Sequence, residues 1–170
     1  MPFPWTLILA VVFVAAAWDI RSRRIPNWLS LPFLGAGLLW SGFGRGLPGF
    51  GASLAAIAVV VAALGPIWWL RGMGLGDVKL CAAIGAWIGP SQMFFALVMT
   101  GIAGGVLAAG YALWCGSLGR SLSGTAGLLG RMWGRSPAGN PTLTLEGPGA
   151  LAIPYAPAIA IGTLFAFLAR

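Results

Sequence analysis

The sequence predicts an all-α integral membrane protein: a six-transmembrane-helix bundle with a short, glycine-interrupted fourth helix. Three observations predict it. Of the 170 residues, 59% are hydrophobic and 8% charged, against about 25% charged in an ordinary soluble domain, so a water-facing surface could not be covered. The apolar residues run in long blocks instead of alternating or following one helical stripe, which is the pattern of helices in lipid. Of the nine tryptophans, all but Trp133 stand near the edge of a block, where amphipathic rings settle at the headgroup level.

The blocks follow one another along the chain. The first, Phe3–Trp18, has no Lys or Arg before its apolar core. A secretory signal has a positive leading region, so this block reads as a retained first helix. The second is Trp28–Gly42, the third Phe50–Leu70, the fifth Met93–Trp114 and the sixth Ala150–Ala169. A hydrocarbon core ~30 Å thick takes about 20 helical residues to cross. The third, fifth and sixth blocks meet that requirement, whereas the first two are short.

The fourth block, Val78–Ile88, cannot span alone, and it follows the glycine-rich segment Gly72-Met73-Gly74-Leu75-Gly76-Asp77. Lipid cannot satisfy a broken backbone, so such a break must line a protein-enclosed or wet cavity. This break is the first pointer to a site. With no internal repeat of fixed period, the chain reads as a single membrane-embedded domain, 1–170. Its one long loop, about 115–149, is rich in Gly and Ser, with leucines among the arginines. It reads equally as a surface-lying amphipathic helix or a solvated loop.

The net charge of +7 comes from basic residues spread thinly over the connections. Orientation in a membrane explains that spread, and nucleic-acid binding does not. Arg21, Arg23, Arg24, Arg71, Lys79, Arg120, Arg131 and Arg135 fall on one side of a six-span topology, leaving Arg45 and Arg170 on the other. The rule that positive loops stay inside places the first set in the cytoplasm and both termini outside. Arg21–Arg24 then fix topology and meet anionic lipid headgroups. Cys81 and Cys115 have no CxxC spacing and the chain has no histidine, so no metal and no cofactor is expected.

The chain has three acidic side chains, Asp19, Asp77 and Glu146. An acid within reach of the bilayer is costly and points to function or to a specific partner. Asp19 ends the first block and Asp77 opens the fourth, which sets both at the cytoplasmic ends of their helices. Two carboxylates close together resist ionising together and hold one shared proton. One can then take a proton from water while the other protonates a peptide carbonyl, the logic of an aspartic protease. A Ser or Cys nucleophile would want a histidine, and only a Ser–Lys pair through Lys79 remains formally open. The structural alternative is that either aspartate merely caps a helix or partners Arg21, Arg23 or Lys79. Glu146, beside Gly and Pro in the long loop, reads as solvated charge.

Gly74-Leu75-Gly76-Asp77-Val78-Lys79-Leu80 resembles the GxGD motif of the type IV prepilin leader peptidases. Asp19-Ile20-Arg21-Ser22-Arg23-Arg24-Ile25-Pro26-Asn27 is similar to the segment holding that family's other catalytic aspartate, with Pro26 and Asn27 as supporting positions. Pro154-Tyr155-Ala156-Pro157-Ala158 resembles its last-helix stretch. The resemblance covers essentially the whole chain. It implies a membrane aspartyl protease of the bacterial inner membrane, with Asp19 and Asp77 catalytic. The substrate it implies is a prepilin or pseudopilin precursor, whose basic leader is cut off just before the precursor's hydrophobic helix. Gly74 and Gly76 are expected to let backbone approach the substrate and to permit unusual φ/ψ, and Lys79 to tune the pair. The missing CxxC insertion is similar to the short form associated with Flp/Tad-type pili and argues against methyltransferase activity. The competing reading is a small transporter or channel subunit in which Asp19 and Asp77 bind a proton or cation. Transport sites tend to lie at the midplane within repeats, unlike the helix-end placement here.

Overall fold

The computed structural model describes residues 5–22, 25–70, 73–114 and 155–170. Five helices account for nearly all of them: α1 (Trp5–Ser22), α2 (Asn27–Trp69), α3 (Leu75–Ile88), α4 (Pro90–Trp114) and α5 (Ala156–Leu168). Three of these, α1, α2 and α4, are long and apolar enough to cross a membrane. The apolar blocks appear in order, with blocks two and three both inside α2; of the sixth, expected to span, the described residues form only the 13-residue α5. The loop 115–149, with Cys115, Trp133 and Glu146, lies outside the described residues, as do Arg23, Arg24, Arg71 and Pro154.

A straight helix of 43 residues would run roughly 65 Å, about twice the thickness of the hydrocarbon core. Gly46 breaks it, with φ 65° and ψ −153°, in a region that suits glycine. Pro48 follows, where a missing N–H does no harm in a new first turn. The Ser41 and Ser53 hydroxyls both donate to the Ala86 carbonyl, at 3.1 and 2.6 Å. Along a straight helix residues 41 and 53 would be roughly 18 Å apart. Hence α2 is a helical hairpin, with one arm on either side of Gly46, and Gly49 is pressed against the Ser41 backbone across the turn.

The short α3 sits at the centre of this packing. Its 14 residues rise roughly 21 Å, too little to span, and Val78 and every residue from Leu80 to Ile88 are buried. Both arms of α2 wrap it, and α4 and α1 touch it more lightly. A helix ending inside a bundle leaves carbonyls that no water can reach. Ser41 and Ser53 satisfy the Ala86 oxygen, and Gly89, at φ 83°, returns its N–H to Gly85 at 2.9 Å. Trp87 stacks on Phe33 at 5.1 Å and donates its indole N–H to the Phe33 carbonyl at 2.9 Å. Gly37 makes room for that ring, since a Cβ there would come within 2.7 Å of it.

The remaining helices close the bundle. Gly162 brings α5 against Ala96 and Thr100 of α4 with no space for a side chain. At one end Trp5 meets Phe167 at 5.5 Å, and the Arg170 guanidinium lies 4.4 Å from the Phe167 ring. The start of α1 and the end of α5 therefore share one end of the molecule, and the end of α1 meets the start of α5 at the other.

Candidate active site

Asp19 lies in the last turns of α1 and is 6% exposed. Its Oδ2 accepts the backbone N–H of Ala156 at 3.1 Å. Ala156 is the first residue of α5, capped by Tyr155, and Pro157 occupies the next position. The first N–H groups of a helix have no partner within it and carry its positive dipole end. Proline supplies none, so of the first two helical residues Ala156 alone has an N–H, and it goes to the Asp19 carboxylate.

Asp77 stands in the first turn of α3, after the N-cap Gly74. Its own N–H bonds the Gly74 carbonyl at 3.2 Å, and its carboxylate takes a hydrogen bond from the Gly74 backbone. An acid at the third helical position reaching back to its cap is half of a capping box. The bond orients Asp77 and accounts for the contact between Oδ2 and the face of Gly74, where a Cβ would sit at 3.2 Å. Asp77 remains half-buried, and it lies within electrostatic reach of both Asp19 and Tyr155. The Tyr155 hydroxyl rests against Gly104 of α4, where a Cβ would come within 2.8 Å of it.

The aspartates, Tyr155 and the first turn of α3 thus meet at one end of the bundle. Among the described residues neither carboxylate is held in an ion pair, and no group of three or more metal-ligating side chains occurs. Each carboxylate accepts a backbone N–H, Asp19 from Ala156 and Asp77 from Gly74, and the two lie within reach of each other's charge, a setting in which carboxylates can move protons.

One expectation needs correction. Gly74 has φ −70° and ψ 140°, and Gly76 is helical. Positive φ among the described glycines is confined to Gly46 and Gly89, so neither motif glycine needs unusual φ/ψ. What Gly76 provides is space: a Cβ there would lie 3.2 Å from the Cβ of buried Ile25. Lys79 does not reach toward Asp77. Its Nζ donates to Asn27 Oδ1 at 3.1 Å, at the start of α2, where the Pro26 carbonyl accepts the Leu29 N–H at 3.1 Å.

Sequence reasoning missed Ile25, Gly104 and the Ala156 N–H. Ile25 looks like any apolar residue in a loop, and a backbone N–H has no residue signature. Gly104 is one of several glycines in an apolar helix, and only its contact with Tyr155 distinguishes it.

A family model for the type IV leader peptidase family matches residues 6–109. Among curated proteins, a prepilin leader peptidase/N-methyltransferase of Xanthomonas campestris is 35% identical over 59% of this chain and 38% of its own length. One of the same name from Aeromonas salmonicida is 32% identical over 63% of this chain and 39% of its own. Another, from Bacillus subtilis, is 29% identical over 98% of this chain and 55% of its own. The chain thus spans about two fifths of the first two relatives and about half of the third. No solved structure matches it.

Proposed function

We propose a function from one premise: the chain belongs to the type IV leader peptidase family. It is a multi-pass membrane aspartic endopeptidase that removes the basic leader from prepilin or pseudopilin precursors. The observation that carries this reading is the meeting of Asp19 and Asp77. Two of the three acids in the chain come from separate helices to one end of the bundle, within reach of each other's charge.

The chemistry needs one charged and one protonated carboxylate. The charged one takes a proton from water as the water oxygen attacks the scissile carbonyl carbon. The protonated one gives its proton to the carbonyl oxygen, which yields a gem-diol. The C–N bond then breaks: the leaving nitrogen takes the proton that came from water, and a diol hydroxyl returns its proton to the other carboxylate. The pair ends as it began, with one proton between two groups.

The six helical rods, counting both arms of α2, form a membrane bundle with the short α3 enclosed in it and the aspartate end in the cytoplasm. Arg21 and Lys79 lie at that end, whereas Arg45 stands beside the Gly46 turn and Arg170 beside Trp5 at the opposite end. That distribution supports a cytoplasmic site with both termini outside. The names of the relatives join two activities, of which we assign this chain the peptidase, the one its two aspartates can carry. Family membership favours the peptidase over the transporter.

Purified protein in liposomes, given a precursor with a basic leader and an apolar helix, should release the leader at the junction between them. The mass of the released peptide locates the cut. An intact precursor, or a cut elsewhere, would overturn the reading.

A further inference from the structure

Asp19 and Asp77 sit on helices that hardly touch each other, since α1 makes only slight contact with α3. Something else must set the spacing of the two carboxylates. Residues 25–27 follow the end of α1 and run straight into α2, and they are joined to the first turn of α3 twice. Ile25 is buried against Gly76. The Lys79 ammonium donates to the Asn27 side-chain carbonyl at 3.1 Å. These contacts involve residues 76 and 79, on either side of Asp77 in sequence. The chain they seize begins six residues after Asp19.

Resting on the peptidase reading, we infer that Asn27 and Lys79 form a positioning clamp that sets the Asp19–Asp77 spacing. Lys79 acts in it as a hydrogen-bond donor. Residues two apart on a helix point about 200° from one another, so the Lys79 side chain leaves α3 away from Asp77. Asn27 is neutral, so the bond needs a donor N–H at the right length more than a charge. Both are positioning residues and neither touches the reacting atoms. The Pro26 carbonyl, tied to Leu29 and Ser30 at the start of α2, makes the segment a firm anchor for the clamp.

The test has two arms on the full-length protein. In the first, Lys79→Met, which keeps length and loses the donor, should lower kcat roughly tenfold with KM little changed. Asn27→Ala should do the same, and the double variant should be no worse than either single one, because both remove one bond. Lys79→Gln, which is neutral but keeps a donor, should recover much of the loss, and the pH profile should keep its shape. A Lys79→Gln protein as impaired as Lys79→Met, with a displaced pH profile, would overturn the clamp in favour of charge tuning. In the second arm, spin labels at Ile20→Cys and Leu75→Cys, both exposed positions flanking the aspartates, report the spacing without substrate, on a Cys115→Ser background. Lys79→Met should broaden the distance distribution, and Lys79→Gln should restore it. An unchanged distribution in Lys79→Met would overturn the clamp even where cleavage falls. Failure of the unsubstituted protein to cleave would sink the peptidase reading and leave this arm to judge the clamp alone.

Discussion

At the scale of single residues, the motif glycines are constrained by their neighbours. Gly76 is helical, and the space for its missing side chain is filled by Ile25. Gly76→Val should therefore push α3 off residues 25–27 and lower cleavage at least tenfold, with membrane insertion intact. Overpacking of this kind costs about 1–3 kcal/mol. Shortening the neighbour should relieve it, so Ile25→Ala combined with Gly76→Val should cleave better than Gly76→Val alone. Equal activity in the single and double variants would mean that Gly76 serves the substrate directly. Glu146→Gln should cleave within about twofold of the unsubstituted protein, since in sequence Glu146 stands beside Gly and Pro outside the apolar blocks. A larger fall would mean that a third acid belongs to the site. Asp19 and Asp77 stand out in the sequence because acids are so scarce in it, but position leaves a helix cap or an ion-pair partner equally open, and the resemblance of the flanking motifs is what singles them out. The partners of those acids were not. The Ala156 N–H, the bulk of Ile25 and the place of Tyr155 over Gly104 exist only once the helices are packed.

Among the elements, α3 decides the architecture. Hydrophobic blocks and their order were readable because the bilayer imposes length and apolarity on each segment. The doubling back of α2 was implied only by the gap between two blocks, and its cause is local: Gly46 at positive φ followed by Pro48. Nor could periodicity show that α3 would be encased, because a helix apolar on all sides looks alike in lipid and in a protein core. What holds its inner end is polar. Two serines from opposite arms of the hairpin share the Ala86 carbonyl. Ser53→Ala should destabilise the protein by about 1 kcal/mol, with Ser41 still in place. Removing both hydroxyls should cost about 1–3 kcal/mol more, since the carbonyl is then buried without a partner. Thermal unfolding in detergent would register this as two successive falls in Tm. Two changes that simply add, each as small as a surface substitution, would argue that water reaches Ala86.

For the molecule as a whole, the bundle holds a short central helix so that its N-terminal turn meets the ends of two others. Charge distribution then sets which side of the membrane that end faces. A cysteine at Arg131 should react with a membrane-impermeant thiol reagent only after cells are opened. Labelling from outside intact cells would reverse the topology and place the site on the other face. If Asp19 and Asp77 act as one unit in peptide hydrolysis, cleavage of a precursor by purified Asp19→Asn and Asp77→Asn proteins across a range of pH will show it. Asparagine keeps the shape of aspartate but can neither take a proton from water nor share one. Each variant should insert normally and lose cleavage by about 10⁴-fold or more, the double variant should lose little beyond that, and the unsubstituted protein should show a bell-shaped profile. Substantial cleavage by either single variant, or losses that multiply in the double, would mean that the two aspartates do not act as a pair.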